Sequence, residues 1–241
     1  MSDLLCLARN ILRNSHRLEF RTAATVLTFC EDMDVSHACA KSLREGRWSI
    51  DGSLLARMYH NGQDRERLAL LRYPLLFMVR PPLFYRMFAH SWRHYSETSR
   101  NRIVLAHALT RFLLSNPRES RAYTRYVRAL LADGQQAVQL HGIALAGFLT
   151  EVTRREAAIV ESFLYSAGVA RQNAAIEAVW YATGWNSAVP LAMSHVLLSP
   201  RLMERIQSIA RHRSAIERKW LVQVQNAIVS WRDGITSKIR E

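Results

Sequence analysis

Apolar residues recur at intervals of three and four along most of this chain, and this spacing constrains the fold more than any other feature. Ile103, Ala106 and Leu109, for example, would all lie on one face of an α-helix. The sequence lacks alternating runs rich in β-branched residues, which half-buried β-strands require. We therefore predict an all-α protein, a compact multi-helix bundle of short helical hairpins with no sheet.

Proline and glycine mark the predicted helix ends. Arg80-Pro81-Pro82 must break a helix over 63–78, and Asn116-Pro117 should end the helix that begins at Ser99. A further helix should end at Asp133-Gly134. Other helices are predicted at 35–45, 53–60, 136–152, 154–167, 173–183, 187–198, 200–211 and 214–231.

The Arg80-Pro81-Pro82 break also gives the expected domain organisation. We predict an N-terminal helical lobe over 1–82, which could belong to the same domain as the rest, and a main helical domain over 83–241 with a basic surface. A helical-repeat array is an alternative, although no repeat unit recurs at a fixed period.

Arginine carries nearly all of the positive charge. Of 33 Lys and Arg residues only three are lysine, and the formal net charge is +13. A guanidinium can grip a carboxylate or a phosphate with two hydrogen bonds, so arginine-rich surfaces suit acidic peptides, nucleic acid or anionic lipid. A genome rich in G and C would also favour arginine over lysine, but composition bias alone does not make a chain this basic.

Four arginines form the most specific candidate binding surface. Because they recur at three and four residues, they fall on one helix face, opposite a stripe of Tyr123, Tyr126 and Val127. Like charges in one row disfavour the helix by a few tenths of a kcal/mol per pair unless an acidic partner neutralises them. We call these residues the arginine row: Arg118, Arg121, Arg125 and Arg128.

A second basic segment, 201–241, lies near the carboxyl terminus. Whether it folds beside the arginine row cannot be read from the spacing. Its candidate surface charges are Arg201, Arg205, Arg211, Arg213, Arg218 and Lys219.

Catalytic and metal motifs do not stand out. The sequence has no GxSxG elbow and no glycine-rich phosphate loop, so we predict that the protein is not an enzyme and uses no cofactor. His90 and His94 have the spacing of a shared metal site with Glu97 as a third ligand, but their aromatic neighbours favour a packed helix surface. Cys30, His37 and Cys39 match no common zinc module, and no metal site is predicted.

Three cysteines without a CxxC pair favour a reducing compartment, and the amino terminus lacks the features of a signal peptide. The longest apolar run, 74–79, is far shorter than the roughly 20 residues of a membrane crossing. We therefore expect a cytoplasmic protein that could at most lie against a membrane surface.

Several landmarks recur in order over residues 48–200: Trp48, Leu55–Tyr59, Arg65–Leu68, Tyr73-Pro74, Asn116–Arg121, His141, Thr153–Glu156, Glu161–Tyr165, Val179–Ala182 and His195. Read together, they resemble the cytoplasmic helical domain of the DotM/IcmP/TrbA family, part of the coupling complex of type IVB secretion and conjugation systems. The family's amino-terminal membrane helices have no counterpart in this sequence, and the loop between Trp180-Tyr181 and His195 is shorter.

The resemblance implies a docking protein without catalytic activity, whose basic surface recruits substrates with acidic, glutamate-rich secretion signals. It places Arg65 and Arg67 near a position where the family carries paired arginines. These two residues join the arginine row as candidate partner-binding residues.

Three hypotheses for function follow. The leading one is a non-catalytic cytoplasmic adaptor that binds an acidic protein or peptide, plausible within a secretion or conjugation machine. The alternative is a basic helical nucleic-acid-binding protein, including a nucleocapsid-like or matrix-like protein, whose affinity would fall steeply with salt. The third is a structural subunit whose charge complements an acidic neighbour.

Overall fold

The computed structural model describes residues 59–64, 67, 68, 71, 81–186 and 189–240, with side chains up to residue 235 in the last helix. This part of the chain is helical and contains no strand, which confirms the all-α prediction. Its α-helices, in chain order, are α1 (Pro81–Tyr95), α2 (Ser99–Ser115), α3 (Ser120–Leu131), α4 (Gln136–Ala146), α5 (Arg154–Leu164), α6 (Val169–Gly184), α7 (Leu191–Leu198), α8 (Pro200–Arg211) and α9 (Ala215–Arg240).

The chain forms two compact units, 1–111 and 112–241, with the boundary inside α2. In the first unit, Tyr59 contacts α1 through hydrogen bonds with the Met87 carbonyl and the Ser91 hydroxyl. The predicted boundary at Pro82 coincides with the start of α1, which belongs to this first unit.

Proline begins helices where the sequence predicts breaks. Pro81 and Pro82 are the first residues of α1, Pro117 opens a 3-10 turn over Pro117–Glu119 ahead of α3, and Pro200 opens α8. The first turn of a helix has amide groups without carbonyl partners, so the missing proline N–H costs nothing there.

The second unit is built outward from α6. This helix packs against α4, α5 and α9, and the other face of α4 packs against α3. Its core is formed by fully buried aliphatic side chains, among them Ile143, Val160 and Ile176. The packing order α3, α4, α6, α9 therefore places α4 and α6 between the arginine row and the last helix.

Two glycines permit close helix contacts in this unit. A methyl group at Gly142 would fall on the backbone of Leu130 and Leu131 in α3, and one at Gly147 would fall on the carbonyl oxygen of Ala178 in α6. Glycine at these positions lets the backbones of α3, α4 and α6 approach more closely than any other residue would allow.

Helix bounds agree best where a clear stop signal stands in the sequence. The helix predicted at 200–211 is observed as Pro200–Arg211. The helix predicted at 136–152 ends at Ala146, because the chain turns at Gly147 and stacks Phe148 on Tyr181 with ring centroids 4.5 Å apart. Most of the helices predicted at 35–45, 53–60 and 63–78 lie outside the described residues.

No helix in the described ranges has both the length and the apolar character needed to cross a membrane.

Candidate binding surface

The arginine row occupies the solvent face of α3 and of the 3-10 turn before it. All four of its side chains are exposed, while Tyr123, Val127 and Leu130 on the opposite face are almost fully buried. The amphipathic period predicted this division. Burial of the apolar face fixes α3 on α4, and that packing holds the row toward solvent.

Two carboxylates from the first turn of α5 and the residues before it meet the row. Arg128 donates from Nε to Glu156 Oε1 at 2.7 Å, and its Nη2 donates to the Glu151 carbonyl oxygen at 3.4 Å. Arg121 lies 3.8 Å from the Glu151 carboxylate, in a more exposed pair. The start of α5 therefore lies beside the row, a proximity that the sequence did not reveal.

Glu156 has a second role as part of a capping box. The Thr153 backbone amide donates to its carboxylate at 2.7 Å, and the Thr153 hydroxyl accepts from the Glu156 amide at 3.2 Å. Burial alone would raise the pKa of Glu156, but the hydrogen bonds from Thr153 and Arg128 outweigh it and lower that pKa. The carboxylate is therefore charged at neutral pH and accepts hydrogen bonds from two donors, the Thr153 amide and Arg128 Nε.

Arg154 and Arg155 extend the basic surface from the first turn of α5. Both side chains are exposed. Cations at a helix amino terminus face the positive end of the helix dipole, an unfavourable position that a bound anion would relieve. The four arginines of the row, together with Arg154 and Arg155, carry six positive charges. Subtracting the charges of Glu119, Glu151 and Glu156 leaves a net charge of +3.

Arg125 is held against its own helix. Its guanidinium lies 4.5 Å from the Tyr126 ring centroid, and its Nη2 donates to the Tyr126 hydroxyl at 2.5 Å. Both tyrosine rings of α3 are buried. The row therefore presents charged groups and offers no exposed ring of α3 on which a nucleic-acid base could stack.

Two of the six predicted surface charges of the second basic segment, Arg205 and Arg213, are partly buried instead of exposed. Arg205 donates to the carbonyls of Leu164 and Ser166 at the end of α5, and Arg232 donates to those of Leu197 and Ser199 at the end of α7. Arg213 is largely buried and donates to the Gln172 side chain at 3.0 Å. Arg201, Arg211, Arg218 and Lys219 are the exposed members of the predicted set.

The same use of arginine recurs in the first unit. Arg102 donates to the carbonyls of Ser96 and Glu97, just after α1, and Arg67 donates to those of Tyr59 and His60. The last carbonyls of a helix have no partner within the helix, and the dipole makes that end negative. We refer to Arg67, Arg102, Arg205 and Arg232 as the capping arginines.

Arg67 therefore has a structural role among the residues that the family resemblance singled out. Besides the two carbonyls, its Nη1 donates to the Tyr95 hydroxyl at 3.2 Å and lies 3.6 Å from Asp64. Arg65 lies outside the described residues. The structure thus brings the arginine row together but leaves Arg67 with its guanidinium engaged inside the other unit.

Around Tyr59 the first unit contains a polar cluster that the sequence analysis did not anticipate. The Tyr59 hydroxyl lies 2.6 Å from the buried Ser91 hydroxyl and 2.9 Å from His90 Nδ1. Burial raises the pKa of Tyr59, and burial, followed by the charge of His94, lowers the pKa of His90. The cluster fastens Tyr59 to α1.

The His90 and His94 rings lie together, with centroids 4.4 Å apart. In the part of the chain that the structure describes, no group of three or more His, Cys, Asp or Glu side chains is placed to hold a metal ion. Cys30, His37 and Cys39 lie outside the described residues.

No family model, no curated protein and no solved structure matches this chain. The resemblance to the DotM/IcmP/TrbA family therefore stays a hypothesis.

Proposed function

We propose that this protein is a non-catalytic adaptor that binds an acidic protein or peptide through the arginine row. The observation that carries the proposal is the arrangement of four exposed arginine side chains along one face of α3 and the 3-10 turn before it, near the exposed Arg154 and Arg155 at the start of α5. A cytoplasmic setting within a secretion or conjugation machine is part of the proposal and rests on the family resemblance alone.

The contacts with Glu151 and Glu156 support a carboxylate ligand. Within the protein itself, Glu151 contacts Arg121 and Glu156 contacts Arg128, so glutamate side chains can reach these two guanidinium groups. Exposed ion pairs contribute only about 0–1 kcal/mol each, so a partner with several carboxylates could displace the 3.8 Å pair at little cost. Arg118 and Arg125 would add further contacts along the same face.

Nucleic acid is the competing ligand for a basic helix. The burial of Tyr123 and Tyr126 argues against a single-stranded ligand, because such ligands gain much of their affinity from stacking on exposed rings. Phosphate contacts alone would give an affinity that falls linearly with salt on logarithmic axes. A carboxylate peptide and an oligonucleotide are therefore separable by one titration series.

The test is fluorescence anisotropy of the full chain with a glutamate-rich peptide and with a single-stranded oligonucleotide of equal length, at about 0.15 M salt. We expect tighter binding to the peptide, and a loss of roughly tenfold or more in the variant carrying both Arg121→Glu and Arg125→Glu. The matched control, Arg201→Glu with Arg218→Glu, changes the net charge equally at exposed sites outside the row.

Preference for the oligonucleotide would contradict the proposal, and so would equal losses in the two double variants. The second result would mean that total charge, rather than the arginine row, determines binding. Circular dichroism of both variants would confirm that helicity is retained before affinities are compared.

A further inference from the structure

Three large apolar side chains project into solvent around two turns of the second unit. Tyr165 follows α5 and is 44% exposed, Val169 begins α6 and is 56% exposed, and Ile216 in the first turn of α9 is 82% exposed. Ile216 is the most exposed large apolar side chain in the described part of the chain. We call these three residues the apolar tip.

A hydrogen-bond chain joins the two turns that carry the apolar tip. Arg213, just before α9, donates to the Gln172 side chain at 3.0 Å, and Gln172 donates to the Ser166 carbonyl at 2.8 Å. Each member of the tip is within three residues of one of these groups. The turn between α5 and α6 is thus joined to the turn between α8 and α9.

Exposed basic side chains stand within a few residues of the tip in the sequence. Arg171, Arg211, Arg218 and Lys219 are all exposed at the same two turns. The Arg205 guanidinium lies 5.6 Å from the Tyr165 ring centroid while its donors bind carbonyls of the α5 end.

Acidic groups at this end are fewer. Glu217 accepts hydrogen bonds from the Ser214 amide and hydroxyl and lies 3.4 Å from Arg213. Glu161 and Glu204 are the other carboxylates nearby in the chain. The basic residues outnumber these three acids, so the surroundings of the tip carry a net positive charge.

The arrangement fits a lipid surface better than a protein groove. The tip residues stand on separate turns and helix starts, so each could enter the interfacial region of a bilayer without moving its neighbours. Arginine and lysine stems can lie along apolar surface while their charged ends reach phosphate groups. Each basic residue near an anionic leaflet adds to the electrostatic attraction.

We propose that this end of the molecule docks on an anionic membrane surface, with Tyr165, Val169 and Ile216 entering the interface and the surrounding arginines and Lys219 meeting lipid phosphates. The tip follows the last turn of α5, whereas the arginine row meets the first turn, about 16 Å away along that 11-residue helix. One molecule could therefore hold an acidic partner and a membrane at the same time.

Vesicle flotation of the full chain tests the proposal. Phosphatidylcholine vesicles with about one third phosphatidylserine should bind the protein, and vesicles of phosphatidylcholine alone should bind it much more weakly. The variant with Val169→Ser and Ile216→Ser should lose roughly tenfold in partitioning, because two apolar side chains no longer leave water.

The matched control is Leu191→Ser. Leu191 is 74% exposed and begins α7, beyond the opposite end of the 16-residue α6 from Val169. This variant should bind vesicles like the unaltered protein. Equal losses in both variants, or binding that does not depend on phosphatidylserine, would overturn the proposal.

The lipid proposal is separable from the acidic-partner proposal. The Val169→Ser and Ile216→Ser variant should bind the glutamate-rich peptide as the unaltered protein does, since the arginine row is untouched. If this variant lost peptide binding but kept vesicle binding, the tip would be a protein contact and the lipid assignment would be wrong.

Discussion

The arginine row and the capping arginines show two uses of one side chain within the same molecule. Both groups lie on helices or next to them, and both look like surface charge in the sequence. The row faces solvent from α3, whereas Arg205 and Arg232 reach across to the carbonyl ends of α5 and α7. The difference depends on what the tertiary fold places within reach of each guanidinium.

The comparison separates charge from availability. A capping arginine keeps its positive charge, because the carbonyl groups it binds are neutral, but its side chain is partly buried, whereas all four side chains of the row are exposed. The high net charge of +13 is therefore not a measure of how many guanidinium groups can bind a partner. Removing a capping arginine should mainly affect stability, and removing a row arginine should mainly affect binding.

The largest expected effect belongs to Arg232→Ala. This change leaves the carbonyls of Leu197 and Ser199 without the Arg232 donors, and hydrogen bonds to charged groups contribute about 1.5–3 kcal/mol. We expect the free energy of unfolding to fall by about 2 kcal/mol in urea titrations.

Arg218→Ala on the same helix is the matched control for that measurement. The Arg218 side chain is exposed, so the free energy of unfolding of this variant should differ from that of the unaltered protein by less than about 0.5 kcal/mol. If the two variants were equally stable, the Arg232 contacts would not stabilise the fold, and the distinction between the capping arginines and the arginine row would be wrong.

Glu156→Gln should have an intermediate effect that depends on pH. The pKa of Glu156 is lowered in the folded protein, so its carboxylate stabilises the fold fully above the unfolded pKa of about 4.3, and that stabilisation is lost as the pH falls through the folded pKa. At neutral pH we expect Glu156→Gln to lower the free energy of unfolding by about 1 kcal/mol, since the Thr153 and Glu156 capping box and the contact with Arg128 are weakened.

Urea unfolding at a series of pH values measures this difference. The gap between the unaltered protein and Glu156→Gln should stay constant from neutral pH to about 5 and close as the carboxylate becomes protonated. A gap that widened at low pH would contradict the lowered pKa. The result bears on the row because Glu156 is the acid that engages Arg128.

The arginine row could be predicted from sequence, whereas the contacts of Arg205 and Arg232 could not, for a physical reason. Helical periodicity places residues three and four apart on one face, so the exposed face of α3 follows from its buried tyrosines and valine. The Arg205 and Arg232 contacts join residues 33 to 41 positions apart in sequence. No local pattern encodes which helix end will lie beside a given guanidinium.

The same limit applies to other parts of the site. The Thr153 and Glu156 capping box is a local signature that could be recognised before the apolar run of α5. Its proximity to Arg128, and with it the extension of the surface to Arg154 and Arg155, depends on how α3, α4 and α5 pack. The early end of α4 likewise reflects the close contact of Gly147 with α6, which a continuous apolar pattern conceals.

The smallest effect on stability is expected for the variant with Arg118→Ala and Arg121→Ala. Both side chains are exposed, and the Arg121 contact with Glu151 is a long ion pair. Removing two like charges also relieves repulsion of a few tenths of a kcal/mol per pair along the row, which offsets the lost contact. The free energy of unfolding should change by less than about 0.5 kcal/mol.

Peptide binding, unlike stability, should change clearly in this variant. We expect the same double variant to bind the glutamate-rich peptide several-fold more weakly, a loss of roughly 1 kcal/mol in binding free energy. The Arg232→Ala variant should bind the peptide normally under conditions in which it is folded. Anisotropy and urea unfolding should therefore show that one variant loses affinity but not stability, and that the other loses stability but not affinity. If Arg232→Ala weakened peptide binding as much as the loss of Arg118 and Arg121, binding would follow total charge and the division between row and capping arginines would be wrong.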